Sequence, residues 1–120
     1  MNALDHKLLT SILADLDYFR GIDPLNIDRR NQTTFFIQVE DAHKYRLIPL
    51  AVGRWVGDYS PAGMKAGQRA IARLEAARQL KRDARWGGRT THIELTKEGE
   101  RIARELLKAK KMTIERSAKI

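Results

Sequence analysis

Three basic residues recur at helical spacing near the middle of the chain, at Lys65, Arg69 and Arg73. Positions i, i+4 and i+8 lie on one face of an α-helix, so these side chains would project together. Lysine and arginine can donate hydrogen bonds to phosphate oxygens and to guanine, and the amide of the flanking Gln68 can pair with adenine. The spacing is typical of a helix that enters the major groove of DNA, but a merely solvated helix face contains the same residue types.

A second group of basic residues follows this helix and surrounds Gly87 and Gly88. Its members are Lys81, Arg82, Arg85 and Arg89. Adjacent glycines adopt the positive φ values of a tight turn without strain, which predicts a β-hairpin whose strands cover residues 81–86 and 90–95. A turn without side chains is thin, so Arg89 could enter a narrow minor groove of high negative potential. The alternative is a frayed hairpin whose arginines are solvated.

The charge of the chain is divided unevenly along its length. The 120 residues carry a net charge of +8. Residues 1–41 contain 4 Lys and Arg against 7 Asp and Glu, whereas residues 42–120 contain 19 against 8. A polyanion is bound by a local positive field rather than by total charge, so this division points to the basic helix and hairpin. Charge alone is equally compatible with a solubilising role. The positions of the basic residues must therefore distinguish binding of a polyanion from solubilisation.

The composition is that of a soluble globular protein, with 42% hydrophobic and 32% charged residues. The longest apolar run, residues 47–52, is far shorter than the roughly 18 residues of a membrane helix, and the N-terminus lacks the pattern of a signal peptide. A cytoplasmic protein without membrane contact is expected. The chain has no cysteine, and His6, His43 and His92 are too scattered for metal-ligand spacing, so no metal or other cofactor is predicted. No catalytic motif is present, which predicts that the protein is not an enzyme.

The first elements can be predicted from caps and periodicity. Asn2 can cap a helix, and apolar residues at helical spacing predict that this helix covers residues 3–19. Gly21 and Pro24 would end it. The β-branched and aromatic content of residues 33–39 predicts a short strand after a polar loop.

The middle of the chain predicts further helices. Asp41 is expected to cap a second helix, which Pro49 would kink or divide before residues 50–56. Ser60 followed by Pro61 is a strong start signal, because serine caps exposed amides and proline favours the first helical position. The basic helix is therefore expected to begin at Pro61 and to pack an apolar face on the core. That face would consist of Gly67, Ala70, Ile71, Leu74 and Ala77.

The order of these elements predicts one α+β domain over residues 1–120 with a winged helix-turn-helix fold. It would be mainly helical, with a wing sheet of two or three strands and extra helices at both ends. The recognition helix would lie near residues 61–79 and the wing near residues 81–95. Thr96 would cap the last helix. The domain would divide into an N-terminal helix and insert (1–41), the helix-turn-helix and wing (42–96), and a C-terminal helix and tail (97–120).

Several stretches resemble the winged-helix domain of MarR-type bacterial transcriptional regulators, over roughly residues 45–108. They are residues 69–75 (RAIARLE), 80–82 (LKR), 88–89 (GR) and 95–99 (LTKEG). The resemblance implies a dimeric repressor or activator whose recognition helix enters the major groove and whose wing arginine, here Arg89, touches the minor groove. It also implies that dimerisation uses the terminal helices, residues 2–19 and 97–112 here, and it leaves room for an unknown small-molecule effector.

These observations predict sequence-specific binding of double-stranded DNA and a role in transcriptional regulation. Groove contacts are expected from Lys65, Gln68, Arg69, Arg73 and Arg89. Phosphate contacts are expected from Lys81, Arg82 and Arg85. Two alternatives remain: a plasmid or phage replication or partition factor, and a winged-helix module that binds another protein without DNA. RNA is the least favoured partner, because the basic region has few aromatic side chains for stacking.

Overall fold

The computed structural model describes residues 1–118, and the side chains of residues 1–114. Within this range the chain is an α+β fold with five α-helices and one three-stranded antiparallel sheet. The elements are α1 (Ala3–Arg20), α2 (Thr33–Tyr45), β1 (Leu47–Pro49), α3 (Val52–Val56), α4 (Pro61–Ala76), β2 (Leu80–Asp83), β3 (His92–Leu95) and α5 (Lys97–Ala118), with a short 3-10 turn at Pro24–Asn26 between α1 and α2.

Helix α1 lies at the centre of the fold and packs against the other four helices. Asn2 caps it as predicted, because its side-chain oxygen accepts a hydrogen bond from the backbone N–H of Asp5 at 2.9 Å. Its buried apolar face consists of Leu8, Leu9, Ile12, Leu13 and Leu16. The core is completed from α3, α4 and the sheet by Ile48, Trp55, Ile71, Leu74, Leu80, Ile93 and Leu95. The predicted first helix is therefore confirmed.

The segment 33–39 is helical, and the strand predicted there is wrong. It forms the first half of α2, Thr33–Tyr45. Phe36 and Val39 are buried three positions apart, which is the period of a helix and not of a strand, and they form a small apolar cluster with Ile27. Burial of this face outweighs the strand preference of β-branched and aromatic residues, which depends strongly on context.

The second helix predicted to begin at Asp41 is also wrong, because Asp41 lies inside α2. This helix ends at Tyr45, and Arg46 then adopts a left-handed conformation with φ 58°. The residues that follow are extended as β1, an edge strand, where Pro49 is tolerated. Helix α3 starts only at Val52.

Helix α4 begins at Pro61, as predicted. The backbone N–H of Gly63 donates to Oγ of Ser60 at 3.1 Å, so Ser60 is the N-cap. The buried face consists of Gly63, Gly67, Ala70, Ile71 and Leu74. The expected inclusion of Ala77 in this face is wrong, because the helix ends one residue earlier and the chain turns towards β2 through Arg78, whose φ is 62°.

The sheet has the strand order β1–β3–β2, with both pairs antiparallel. Ile93 of β3 lies opposite Ile48 of β1 on one side and Arg82 of β2 on the other. The predicted hairpin is confirmed, although its strands are shorter than expected and leave residues 84–91 as the connecting loop. The sheet thus joins the hairpin to the segment between α2 and α3.

The start of α5 is fixed against the connection between α4 and β2. Oγ1 of Thr96 accepts a hydrogen bond from the N–H of Gly99 at 3.0 Å, which confirms the predicted cap, and donates to the carbonyl oxygen of Gln79 at 2.9 Å. A Cβ atom at Gly99 would lie 1.9 Å from the same carbonyl oxygen. Glycine is therefore required for this close approach.

An ion-pair cluster links α1, the end of α2 and α5. The carboxylate of Glu100 accepts hydrogen bonds from Arg20 at 3.1 Å, from Arg104 at 3.0 Å, and from Arg46. Burial raises the pKa of Glu100, but the hydrogen bonds from the three arginines outweigh it and lower that pKa to about 2. The carboxylate therefore stays ionised over the physiological pH range.

Candidate nucleic-acid interface

The first half of α4, residues 61–69, presents an exposed polar face on the side opposite its buried residues. Lys65, Gln68 and Arg69 are all exposed. Among the residues whose side chains the structure describes, neither Lys65 nor Arg69 has an ion-pair partner. Exposed Ala62 and Ala72 keep the face narrow between these long side chains. Such a face combines long hydrogen-bond donors with little steric bulk, as a helix in a major groove requires.

Arg73, the third residue of the predicted basic face, is bound to a carboxylate. Its Nη2 donates to Oδ1 of Asp5 at 2.7 Å, and its Nε donates to Oδ2 of the same residue at 3.3 Å. Asp5 is 4% exposed, and the hydrogen bond from Arg73 lowers its pKa despite burial. Arg73 therefore links the end of α4 to the start of α1. It differs from Lys65 and Arg69 in having a carboxylate partner.

Two further predicted contact residues are bound in the same way. Arg82 donates from Nη2 to Oε1 of Glu75 at 2.7 Å, which links β2 to α4 and lowers the pKa of Glu75. Arg85 donates to both carboxylate oxygens of Asp41, one of them at 3.0 Å, and so links the hairpin loop to α2. Asp41 is 4% exposed, so the acidic member of this second ion pair is buried.

The two remaining predicted contact residues of the hairpin are open to solvent. Lys81 and Arg89 are exposed, and neither has an ion-pair partner within the described side chains. Gly87 and Gly88 have φ values of 80° and 77°, and within the described part of the chain nothing lies within 4 Å of a Cβ atom built on either. The loop tip is thin, as predicted, and Arg89 follows it directly.

A cleft of about 840 Å³ separates α4 from the hairpin loop. It is lined by residues 50–54 from the start of α3, by Tyr59, Met64 and Gln68, and by residues 89–91 from the hairpin. Gln68 and Arg89 therefore face the same space, although they belong to different elements. Through Gln68, the polar face of α4 borders the same cleft as the arginine of the loop.

Sequence reasoning missed the carboxylate partners of the paired arginines. Asp5 and Asp41 both lie within the acidic residues 1–41, so the excess of acidic charge there was the available signal. It indicated that partners exist without indicating which arginine each one binds. Trp86 of the hairpin loop contacts His92 edge-on with ring centroids 5.9 Å apart, but remains 78% exposed.

Comparison of the chain with protein-family models, with curated proteins and with solved structures gave no match. Its function is therefore inferred from its own geometry. Among the residues that the structure describes, no group of three or more His, Cys, Asp or Glu residues could hold a metal ion. Within the same residues, no helix combines the length and the apolar character needed to cross a membrane.

Proposed function

We propose that the protein is a winged helix-turn-helix protein that binds double-stranded DNA and regulates transcription. The element order α2, β1, α3, α4, β2, β3 supports this fold, as does the sheet order β1–β3–β2. In this arrangement α3 and α4 form the helix-turn-helix, with residues 57–60 as the turn. Helix α4 is the recognition helix, and the loop of residues 84–91 is the wing.

One observation carries the proposal: Gln68, on the polar face of α4, and Arg89 of the wing border the same cleft. In the proposed complex the first half of α4 lies in the major groove, where Lys65 and Arg69 donate to guanine or phosphate and Gln68 pairs with adenine. Arg89 enters the adjacent minor groove, where negative potential is strongest in narrow A·T-rich segments.

The ion pairs narrow the set of residues that supply affinity. Arg73, Arg82 and Arg85 each have a carboxylate partner that would have to be displaced or shared before a phosphate could bind. Because a charge that is already neutralised releases fewer counterions, these three contribute less to binding. The principal contacts are therefore Lys65, Gln68, Arg69, Lys81 and Arg89.

The resemblance to MarR-type regulators supports a dimer that binds a two-fold symmetric site. The terminal helices α1 and α5 pack together in the monomer, and Arg104 of α5 binds Asp17 of α1 at 2.9 Å. Beyond this contact, α5 carries the exposed apolar residues Leu107, Met112 and Ile114, which a second copy could cover. Sedimentation of the protein over a range of concentrations tests this part of the proposal.

Selection of bound duplexes from a random library, followed by affinity measurements at several salt concentrations, tests DNA binding. We expect enrichment of a single motif. With about four cations contacting DNA, the slope of log affinity against log salt should be between about −3 and −4 per protomer.

Arg89→Ala should reduce both the affinity and the salt slope. Arg30 is an exposed arginine of the 27–32 loop, and the matched control Arg30→Ala should change neither. A salt-independent interaction, or no mobility shift at low salt, would contradict DNA binding and favour a protein partner.

A further inference from the structure

Tyr59 is an exposed aromatic residue in the turn between α3 and α4. It is 74% exposed, yet its ring lies directly on α3. A Cβ atom at Gly53 would lie 2.4 Å from Cδ1 and 2.6 Å from Cε1 of this ring, which is closer than real Cβ atoms approach. The ring therefore occupies the space that any other side chain at position 53 would fill.

The turn that carries this tyrosine is held by its own hydrogen bonds. The N–H of Ser60 donates to Oδ1 of Asp58 at 2.8 Å, and the N–H of Gly63 donates to Oγ of Ser60 at 3.1 Å. Asp58 also occupies the space beside Gly63, where a Cβ atom would lie 2.3 Å from its Cγ. The backbone on both sides of Tyr59 is thus fixed relative to the start of α4.

This arrangement contributes little to stability. Glycine inside a helix is less stable than alanine by roughly 0.5–1 kcal/mol, and a ring that is mostly exposed gains little from burial. A rigid aromatic side chain that remains accessible is instead well suited to contact a partner, because little entropy is lost when it binds. The cleft beside it is the one that Gln68 and Arg89 line.

The lining of the cleft near Tyr59 includes an arginine that is already paired. Arg54 lines the same cleft and donates to Asp15 at 3.0 Å. The hydrogen bond to Asp15 is the main cause that raises the pKa of Arg54. Because Arg54 is already bound to a carboxylate, the hydroxyl of Tyr59 is the donor that remains available to a phosphate.

We propose that Tyr59 donates a hydrogen bond to a phosphate of the bound DNA, and that Gly53 positions its ring for this contact. The proposal rests on the proposed function. A phosphate contact at this turn would fix the depth at which the first half of α4, with Lys65 and Arg69, enters the groove.

Two variants test the proposal with the duplex that the library selects. Tyr59→Phe removes only the hydroxyl, and we expect affinity to fall about three- to tenfold, as for a hydrogen bond to a charged group. Because no cation is lost, the salt slope should stay that of the wild type, unlike that of Arg89→Ala. Gly53→Ala keeps the hydroxyl but displaces the ring, so it should weaken binding similarly without lowering the melting temperature.

Tyr18→Phe is the matched control, because Tyr18 is 60% exposed on α1 and does not line the cleft. It should bind as tightly as the wild type. Wild-type affinity in Tyr59→Phe or in Gly53→Ala would overturn the inference while leaving DNA binding intact, as would an equal loss in Tyr18→Phe. If the wild-type protein selects no duplex, the proposed function itself fails, and this inference fails with it.

Discussion

The two halves of helix α4 use the same residue types differently. In the first half, Lys65 and Arg69 are exposed and have no carboxylate partner among the described side chains. In the second half, Arg73 binds Asp5, and Glu75 binds Arg82 of the hairpin. Helical spacing makes the basic residues look equivalent, but the acidic residues of neighbouring elements distinguish them. The first half is the part that we propose to bind DNA, and the second half connects α4 to α1 and to the sheet.

The hairpin repeats this division. Arg85, near its base, binds Asp41 of α2 and thereby links the loop to the body of the protein. Arg89 follows the open tip and has no such partner within the described part of the chain. The ion-paired arginines can therefore fix the position of the helix and the loop that carry Arg69 and Arg89.

The largest expected effect separates the two halves of α4. Arg69→Ala should weaken binding of the selected duplex about 10- to 100-fold, as for loss of a bidentate base contact. Its melting temperature should be unchanged, because Arg69 is exposed and has no ion-pair partner among the side chains that the structure describes. Arg73→Ala should do the reverse: it leaves the carboxylate of Asp5 buried without its partner, so the melting temperature falls and affinity changes less. Affinity by fluorescence anisotropy and melting by circular dichroism measure both, and equal affinity losses would remove the distinction.

Variants of the hairpin arginines should give the next largest effect on binding. Arg89→Ala should weaken binding about tenfold and leave the melting temperature unchanged. Arg85→Ala should lower the melting temperature, because Asp41 is 4% exposed and would lose its ion-pair partner. Calorimetric melting combined with binding assays distinguishes them. Identical behaviour of the two variants would show that the pairing of Arg85 has no consequence.

Releasing a paired arginine should have a smaller and opposite effect on binding. Asp5→Asn removes the carboxylate that binds Arg73, so that Arg73 can contact phosphate. We expect affinity for non-specific duplex to rise about two- to threefold, with a steeper salt dependence, while the melting temperature falls. Asp23→Asn, at the cap of the 3-10 turn, is a control that removes the same charge elsewhere. A similar gain in this control would attribute the effect to net charge alone.

The variant with the smallest expected effect on binding tests a pH dependence of stability. The pKa of Glu100 is lowered to about 2 in the folded protein, from 4.5 for an unperturbed glutamate. The folded state therefore favours the ionised form, and the unfolded state binds the proton more readily. The contribution of Glu100 to the free energy of unfolding is complete above about pH 4.5 and is lost as the pH falls towards about 2.

Urea titrations across this range measure the contribution of Glu100. Glu100→Gln should be less stable than the wild type at neutral pH, and the difference should shrink in acid. A difference that is independent of pH would contradict this assignment. DNA binding at neutral pH should be unaffected, because the cluster around Glu100 is formed with α1 and the end of α2 rather than with the cleft.

The parts of the fold that sequence predicts well are those with local signals. The caps Asn2, Ser60 and Thr96 each mark a helix start that the structure confirms. The adjacent glycines mark the hairpin in the same way. In each case the residues that determine the conformation lie within a few positions of it, so the pattern contains the necessary information.

The parts of the fold that sequence predicts badly depend on contacts between residues that are far apart in the chain. Residues 33–39 form a helix because that face is buried against Ile27 and neighbouring residues, which overrides the local strand preference. The pairing of Arg73 with Asp5 spans 68 positions, and that of Arg85 with Asp41 spans 44. Nothing in the spacing of the basic residues indicates which of them meet a carboxylate, so the predicted contacts could not be ranked from sequence.

Side-chain NMR of the arginines during titration with the selected duplex tests the central claim most directly. The Nε–H signals of Arg69 and Arg89 should shift strongly, whereas those of Arg82 and Arg85 should stay near their positions in the unbound protein, because their carboxylate partners remain bound. Shifts confined to Arg82 and Arg85, with Arg69 and Arg89 unchanged, would contradict the account.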